Sequence, residues 1–191
     1  MSSSQSILRQ IVDIVVKTLS PGKPRTSRED PGFSGASHAS ARLRDADVEA
    51  GRARGSETVR IDPEHIDDLA VDYAPSKDGA PDSGEVIWTW VPYEENDGRG
   101  KDRPVLVIGR ESASRVYAVR MTSKPHDRDR DYLPIGSGAW DSQGRESWVD
   151  IEQLYSVHEK GMRREAAVLD RGRYDRIAAA LNERYGWVAK R

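Results

Sequence analysis

Apolar and polar positions alternate with different periods in different parts of the chain. Between Ser6 and Leu19, Ile7, Leu8, Ile11, Val12, Val15, Val16 and Leu19 recur at three- and four-residue intervals, with Arg9, Gln10, Asp13 and Lys17 on the other side. That period predicts an amphipathic helix over residues 1–20. Its apolar face suits packing on the folded part of the chain or on a second copy; a partner peptide or a membrane surface are alternatives, the membrane being disfavoured by the lack of Trp and Phe. The charges at Arg9, Asp13 and Lys17 break the run, so it reads neither as a membrane span nor as a signal peptide. The expected location is cytoplasmic.

Residues 20–55 are dense in Ser, Gly, Pro, Ala and Arg, with turn formers at Pro21-Gly22 and Pro31-Gly32 and no apolar period. An acidic stretch follows, carrying Asp62, Glu64, Asp67, Asp68, Asp72, Asp78 and Asp82 against Lys77. The expectation is a flexible, partly acidic linker over 21–83, with Thr58-Val59-Arg60-Ile61 alternating enough for a short strand. The acidic part reads as a solvated connector or as a strip occupying a basic groove when nucleic acid is absent.

Beyond Gly84 the texture changes. Val86, Trp88 and Trp90 alternate with Ile87, Thr89 and Val91 in a strand apolar on both faces. Further strands are predicted over Pro104–Gly109, Arg115–Thr122, Tyr132–Ile135 and Ser147–Ile151. Tyr174, Ile177, Ala178, Leu181 and Tyr185 then line one face of a helix that starts near Asp170 and stops at Gly186. Short strands separated by Gly-rich turns and closed by a helix predict a mainly β domain over 84–191, a small barrel with a C-terminal helix.

Charge is segregated: 7 basic and 3 acidic residues to Arg44, 4 and 11 from Asp45 to Asp82, and 19 and 18 afterwards. A near-neutral folded part argues against indiscriminate duplex binding and leaves room for a focused basic site. The chain has no cysteine, which removes disulfides and thiolate chemistry. Asp127, Asp129 and Asp131 begin like a calcium loop, but Tyr132 stands where glycine is required. The four histidines show no ligand spacing, and Gly98, Gly100 and Lys101 lack the spacing of a phosphate loop. No metal and no cofactor are expected. Trp140, within a Gly-rich turn, is the aromatic most suited to exposure and base stacking.

Three blocks stand in order: Gly84-Glu85-Val86-Ile87-Trp88, Lys101-Asp102-Arg103-Pro104-Val105-Leu106-Val107-Ile108, and Arg120-Met121-Thr122-Ser123-Lys124, with Val149-Asp150-Ile151-Glu152-Gln153-Leu154 as a fourth. Over these residues the chain resembles the PemK/MazF toxin endoribonucleases. The resemblance implies an SH3-like barrel pairing into a homodimer, cleavage of single-stranded RNA, and a cognate antitoxin as partner. It marks Arg103 and Thr122 as catalytic. The helix, linker and acidic stretch depart from the family pattern. The rival reading is a non-catalytic barrel that binds RNA or a protein.

Metal-free RNA cleavage needs a base for the 2'-hydroxyl proton, an acid for the leaving 5'-oxygen, and fixed donors for the growing phosphate charge. The Arg103 fork suits the phosphate, and Pro104 holds its backbone extended. The Thr122 hydroxyl can bond a phosphate oxygen or orient the 2'-hydroxyl, with Ser123 as its neighbour. Lys101, Lys124, Arg128 and Arg130 flank the two positions, suited to following the RNA backbone or to an ordinary charged surface. The competing role for Arg103 is an ion pair with Asp102 or Glu85. Arginine hardly loses its proton, so the base is left among Glu94, Glu95, Asp102 and His126.

Overall fold

A computed structural model describes residues 52–76, 79–95 and 97–188. The helix expected over 1–20 and the first part of the linker lie outside the described residues. Seven strands form one antiparallel sheet: β1 (Val59–Ile61), β2 (Glu85–Pro92), β3 (Gly100–Arg110), β4 (Arg115–Thr122), β5 (Tyr132–Gly136), β6 (Ser147–His158) and β7 (Met162–Val168). Their order is β1-β6-β4-β3-β2-β7, with β5 on β6. A helix, α1 (Arg171–Tyr185), follows.

The two-sided apolar runs bury both faces of the sheet. Ile87, Val91, Val105, Val107, Val116, Ala118, Tyr155 and Val157 form an inner core. Val86, Leu106, Ile108, Val119 and Met121 point the other way, into an outer core shared with Tyr174, Ile177, Ala178 and Leu181 of α1. As the sequence predicts, Asp170 caps α1 by accepting from the Arg173 N–H at 3.0 Å. Gly186, at φ 74°, ends it.

The backbone ladder does not close into a barrel. Its end strands are β1 and β7, and side chains fasten the residue just before β1 to β2 and to the start of β7. The Thr89 hydroxyl donates to the Gly161 carbonyl at 2.8 Å. Its single proton thus spent, it accepts from the Thr58 hydroxyl at 2.6 Å.

The short strand expected at Thr58–Ile61 is present as β1, and the linker expectation fails for residues 66–72. Leu69 and Val71 are buried in the outer core. The backbone there is paired to distant groups: Trp187 Nε1 donates to the Ile66 carbonyl at 2.7 Å, the Tyr174 hydroxyl to Asp72 at 3.0 Å, and the Val71 N–H to Val188 at 3.1 Å. A few well-spaced apolar side chains suffice when the domain satisfies the chain polar atoms.

Trp140 is also corrected. It is buried, donates from Nε1 to Ser147 Oγ at 3.1 Å, and packs so closely on Gly138 that a Cβ there would lie within 2.6 Å of the ring. β6 runs on to His158, past the expected end at Ile151, because a bulge absorbs Ile151–Gln153 and pairing resumes at Leu154. β7 carries no alternating pattern: its Arg163 and Arg164 pair with Asp102 and Glu85.

Candidate functional site

The β3–β4 ladder is last paired at Val105 and Arg120. Two residues further along each strand stand Arg103 and Thr122, at one level where the ladder ends. Side chains two apart share a face. Arg103 therefore continues the row of Val105 and Val107, and Arg120 and Thr122 continue the row of Val116 and Ala118. The inner face is thus apolar in its middle and polar at this end.

Arg103 is half-buried. The two carboxylates that compete for it are taken: Asp102 accepts from Arg163 at 2.7 Å, and Glu85 accepts from Arg164 Nε at 3.1 Å and from its NH2 at 2.7 Å. Among the described residues Arg103 has no ion-pair partner. Thr89, its cross-strand neighbour on β2, spends its hydroxyl proton on the Gly161 carbonyl. The Thr122 hydroxyl accepts from the Lys124 N–H at 3.1 Å, which fixes the oxygen and leaves its proton free to donate.

Beneath this pair lies a network that sequence reasoning quoted only as part of wider blocks. Arg120 donates to the fully buried Asp150 at 2.5 Å and to the Tyr132 hydroxyl at 2.8 Å. Burial works against the Arg120 charge, but the Asp150 carboxylate outweighs it and the guanidinium pKa is raised. Burial, with Asp150 beside it, also raises the Tyr132 phenol. At the bulge, Gln153 donates to Glu94 at 2.6 Å and accepts from the Tyr155 hydroxyl at 2.6 Å, tying β6 to the β2–β3 connection. The available signal was position: Arg120 shares a face with Thr122, and Asp150 is an acid between Val149 and Ile151 in a strand.

Ser123 and Lys124 are exposed just past Thr122, and Lys101 is exposed two residues before Arg103. Arg128 and Arg130 are exposed on the connection between β4 and β5. That connection crosses β6, since Thr122 and Pro134 both pair with Trp148 from opposite sides. The acidic residues 62–72 do not occupy this face: Leu69 and Val71 hold their chain in the outer core, on the opposite side of the sheet.

A family profile described as PemK-like, MazF-like toxin of type II toxin–antitoxin system matches residues 82–184. The chain belongs to this family. The PemK/MazF match includes Arg103, Thr122 and the Arg120–Asp150–Tyr132 network, and it leaves β1 and residues 66–76 outside. No curated protein matches the chain by sequence. Among solved structures, a MazE–MazF crystal structure from Deinococcus radiodurans is 17% identical with a TM-score of 0.42, covering 56% of this chain and 98% of that one. An endoribonuclease in complex with its cognate antitoxin from Mycobacterial species is 16% identical with a TM-score of 0.44, covering 58% and 100%.

Proposed function

We propose that this PemK/MazF-family chain is a metal-independent, sequence-selective endoribonuclease acting on single-stranded RNA, leaving a 2',3'-cyclic phosphate and a 5'-hydroxyl. The observation that carries the reading is that Arg103, level with Thr122 at the end of the ladder, has no ion-pair partner among the described residues, while Arg120, Arg163 and Arg164 are all paired. A partly buried cation without a carboxylate suits a phosphate whose charge grows on the way to the transition state. RNA carries its own nucleophile, so the protein needs only to align the 2'-oxygen, stabilise the phosphate and move protons.

In this reading the Arg103 fork holds the two non-bridging phosphate oxygens and Thr122 donates to one of them or orients the 2'-hydroxyl. Lys101, Ser123, Lys124, Arg128 and Arg130 follow the backbone on either side and add affinity without base choice. The choice of bases rests on unstacked nucleotides against the loops. The protein acts as a homodimer restrained by a cognate antitoxin, in the cytoplasm; among the described residues no helix is long and apolar enough to cross a membrane.

The test is cleavage of a labelled mixed-sequence single-stranded RNA by the full-length protein in excess EDTA, beside Arg103→Ala and Thr122→Ala. Cuts at a repeated short motif that persist in EDTA and vanish in both variants are expected. RNA bound but uncut would replace the enzyme by a binding module in which Arg103 is a phosphate clamp.

A further inference from the structure

Four side chains around the site can take a proton, and the structure separates them. Asp102 is engaged by Arg163 and points away from the face that carries Arg103. Glu94 accepts the Gln153 amide at 2.6 Å. Glu95 is exposed on the β2–β3 connection. His126 is placed differently. It lies on the connection that crosses β6, and its ring stacks on Tyr132 with centroids 3.6 Å apart and planes within 5°. The Tyr132 hydroxyl accepts from Arg120, two residues before Thr122 on the same face of β4. The imidazole is therefore stacked on the side chain that reaches the polar end of the inner face, where two residues along a strand span about 7 Å.

Its Nδ1 is 3.7 Å from the Asp129 carboxylate. That is a charge contact, longer than a hydrogen bond. It favours the tautomer with the proton on Nδ1, which leaves the Nε2 lone pair available. The other groups facing the ring are Tyr132 of β5 and, behind it, Arg120 of β4 and Asp150 of β6, which neutralise each other. Arg128 and Arg130 stand exposed on its own connection.

Resting on the ribonuclease reading above, we infer that His126 is the proton-transfer group of the reaction. Neutral Nε2 takes the 2'-hydroxyl proton as the 2'-oxygen bonds to phosphorus and the bond from phosphorus to the 5'-oxygen breaks. The leaving 5'-oxygen takes a proton from a water molecule, and the imidazolium returns its proton to the resulting hydroxide. Arg103 and Thr122 then stabilise charge without having to titrate.

The experiment measures kcat and KM on the labelled RNA from pH 5 to 9 for the full-length parent, His126→Gln, His126→Ala and Arg103→Ala. General base removal is worth about a hundredfold or more in rate. The expectation is that loss in kcat for His126→Gln, with KM within about threefold. Its rate should no longer fall as acid protonates an imidazole, and free imidazole should restore part of the rate to His126→Ala. A His126→Gln enzyme within about threefold of the parent, with the acid limb intact, overturns the assignment, while the ribonuclease reading survives if Arg103→Ala is dead. A parent that cuts no RNA under any of these conditions overturns both.

Discussion

Asp102 accepts a hydrogen bond from Arg163 at 2.7 Å across the end of the sheet, and this pairing frees the adjacent Arg103 on β3. A guanidinium with no ion-pair partner among the described residues contributes little to stability, so its removal separates function from folding. Arg103→Ala is expected to lose about 10²-fold or more in RNA cleavage. Thermal unfolding should change by less than about 0.5 kcal/mol. Arg103→Lys should recover only part of the activity, because an ammonium cannot hold two phosphate oxygens at once. A large loss of stability in the alanine variant would show that Arg103 is a structural residue.

The Arg120–Asp150 pair is the opposite case. Asp150 is fully buried, and Asp150→Ala would strand a charged guanidinium at the floor of the site. Removing one partner of a buried pair costs about 3–5 kcal/mol. Urea denaturation should show a loss of that size. Replacing both residues by apolar ones, Arg120→Met with Asp150→Leu, should be milder than either single change; a double variant as unstable as the sum would mean the two do not act as a pair.

Leu69 lies upstream of the family match, yet it is part of the outer core. Leu69→Ala should cost about 2–5 kcal/mol, as for other buried leucines. A protein trimmed to begin at Gly79 should lose cooperative unfolding, since Trp187 and Tyr174 would lose the carbonyls of Ile66 and Asp72. Full stability in the trimmed protein would return this segment to the role of a loose tether.

Burial raises the phenols of Tyr155 and Tyr174 above their ordinary value. A phenol that binds its proton more tightly in the folded state adds stability that is whole below about pH 10 and is lost as pH climbs through the raised folded values. Stability followed by denaturant midpoint should therefore fall above about pH 10, with tyrosinate absorbance appearing together with unfolding. Ionisation of all seven tyrosines at ordinary pH, without unfolding, would contradict the burial of these two.

Arg128 and Arg130 stand exposed on the crossing connection. If they follow the RNA backbone, replacing both by alanine should weaken RNA binding with little effect on kcat, and should flatten the salt dependence by about 0.7 per lost phosphate contact. An unchanged salt slope would assign them to the ordinary charged surface.

The parts legible in the sequence were those with a local signal. Alternation marked Arg115–Thr122 to the residue, and the Asp170 cap and Gly186 stop framed α1. Gly84-Glu85 was legible as a block, and its physical reason became visible only in the fold: φ is 99°, a Cβ would meet the Tyr73 ring at 2.7 Å, and Glu85 receives Arg164. What stayed hidden was long-range. β7 is polar because its arginines answer acids on β2 and β3. The acidic segment reads as loose because Leu69 and Val71 are too few to form a period, although each finds a place in a core assembled from distant strands. Arg120 and Asp150 gave no hint of each other from 30 positions apart.

The hydroxyl contact between Thr58 and Thr89 joins positions 31 apart where a closed barrel would have a continuous ladder. Such a fastening can release without disturbing β2, β3 or β4. Opening there would leave the three-residue ladder to β6 as the backbone attachment of β1, and this short edge strand can fray below the energy of global unfolding. The backbone amides of Val59 and Ile61 should then exchange with solvent well before those of Leu106 and Val119, and the domain would have a place to flex that lies beside the site yet leaves Arg103 and Thr122 in register.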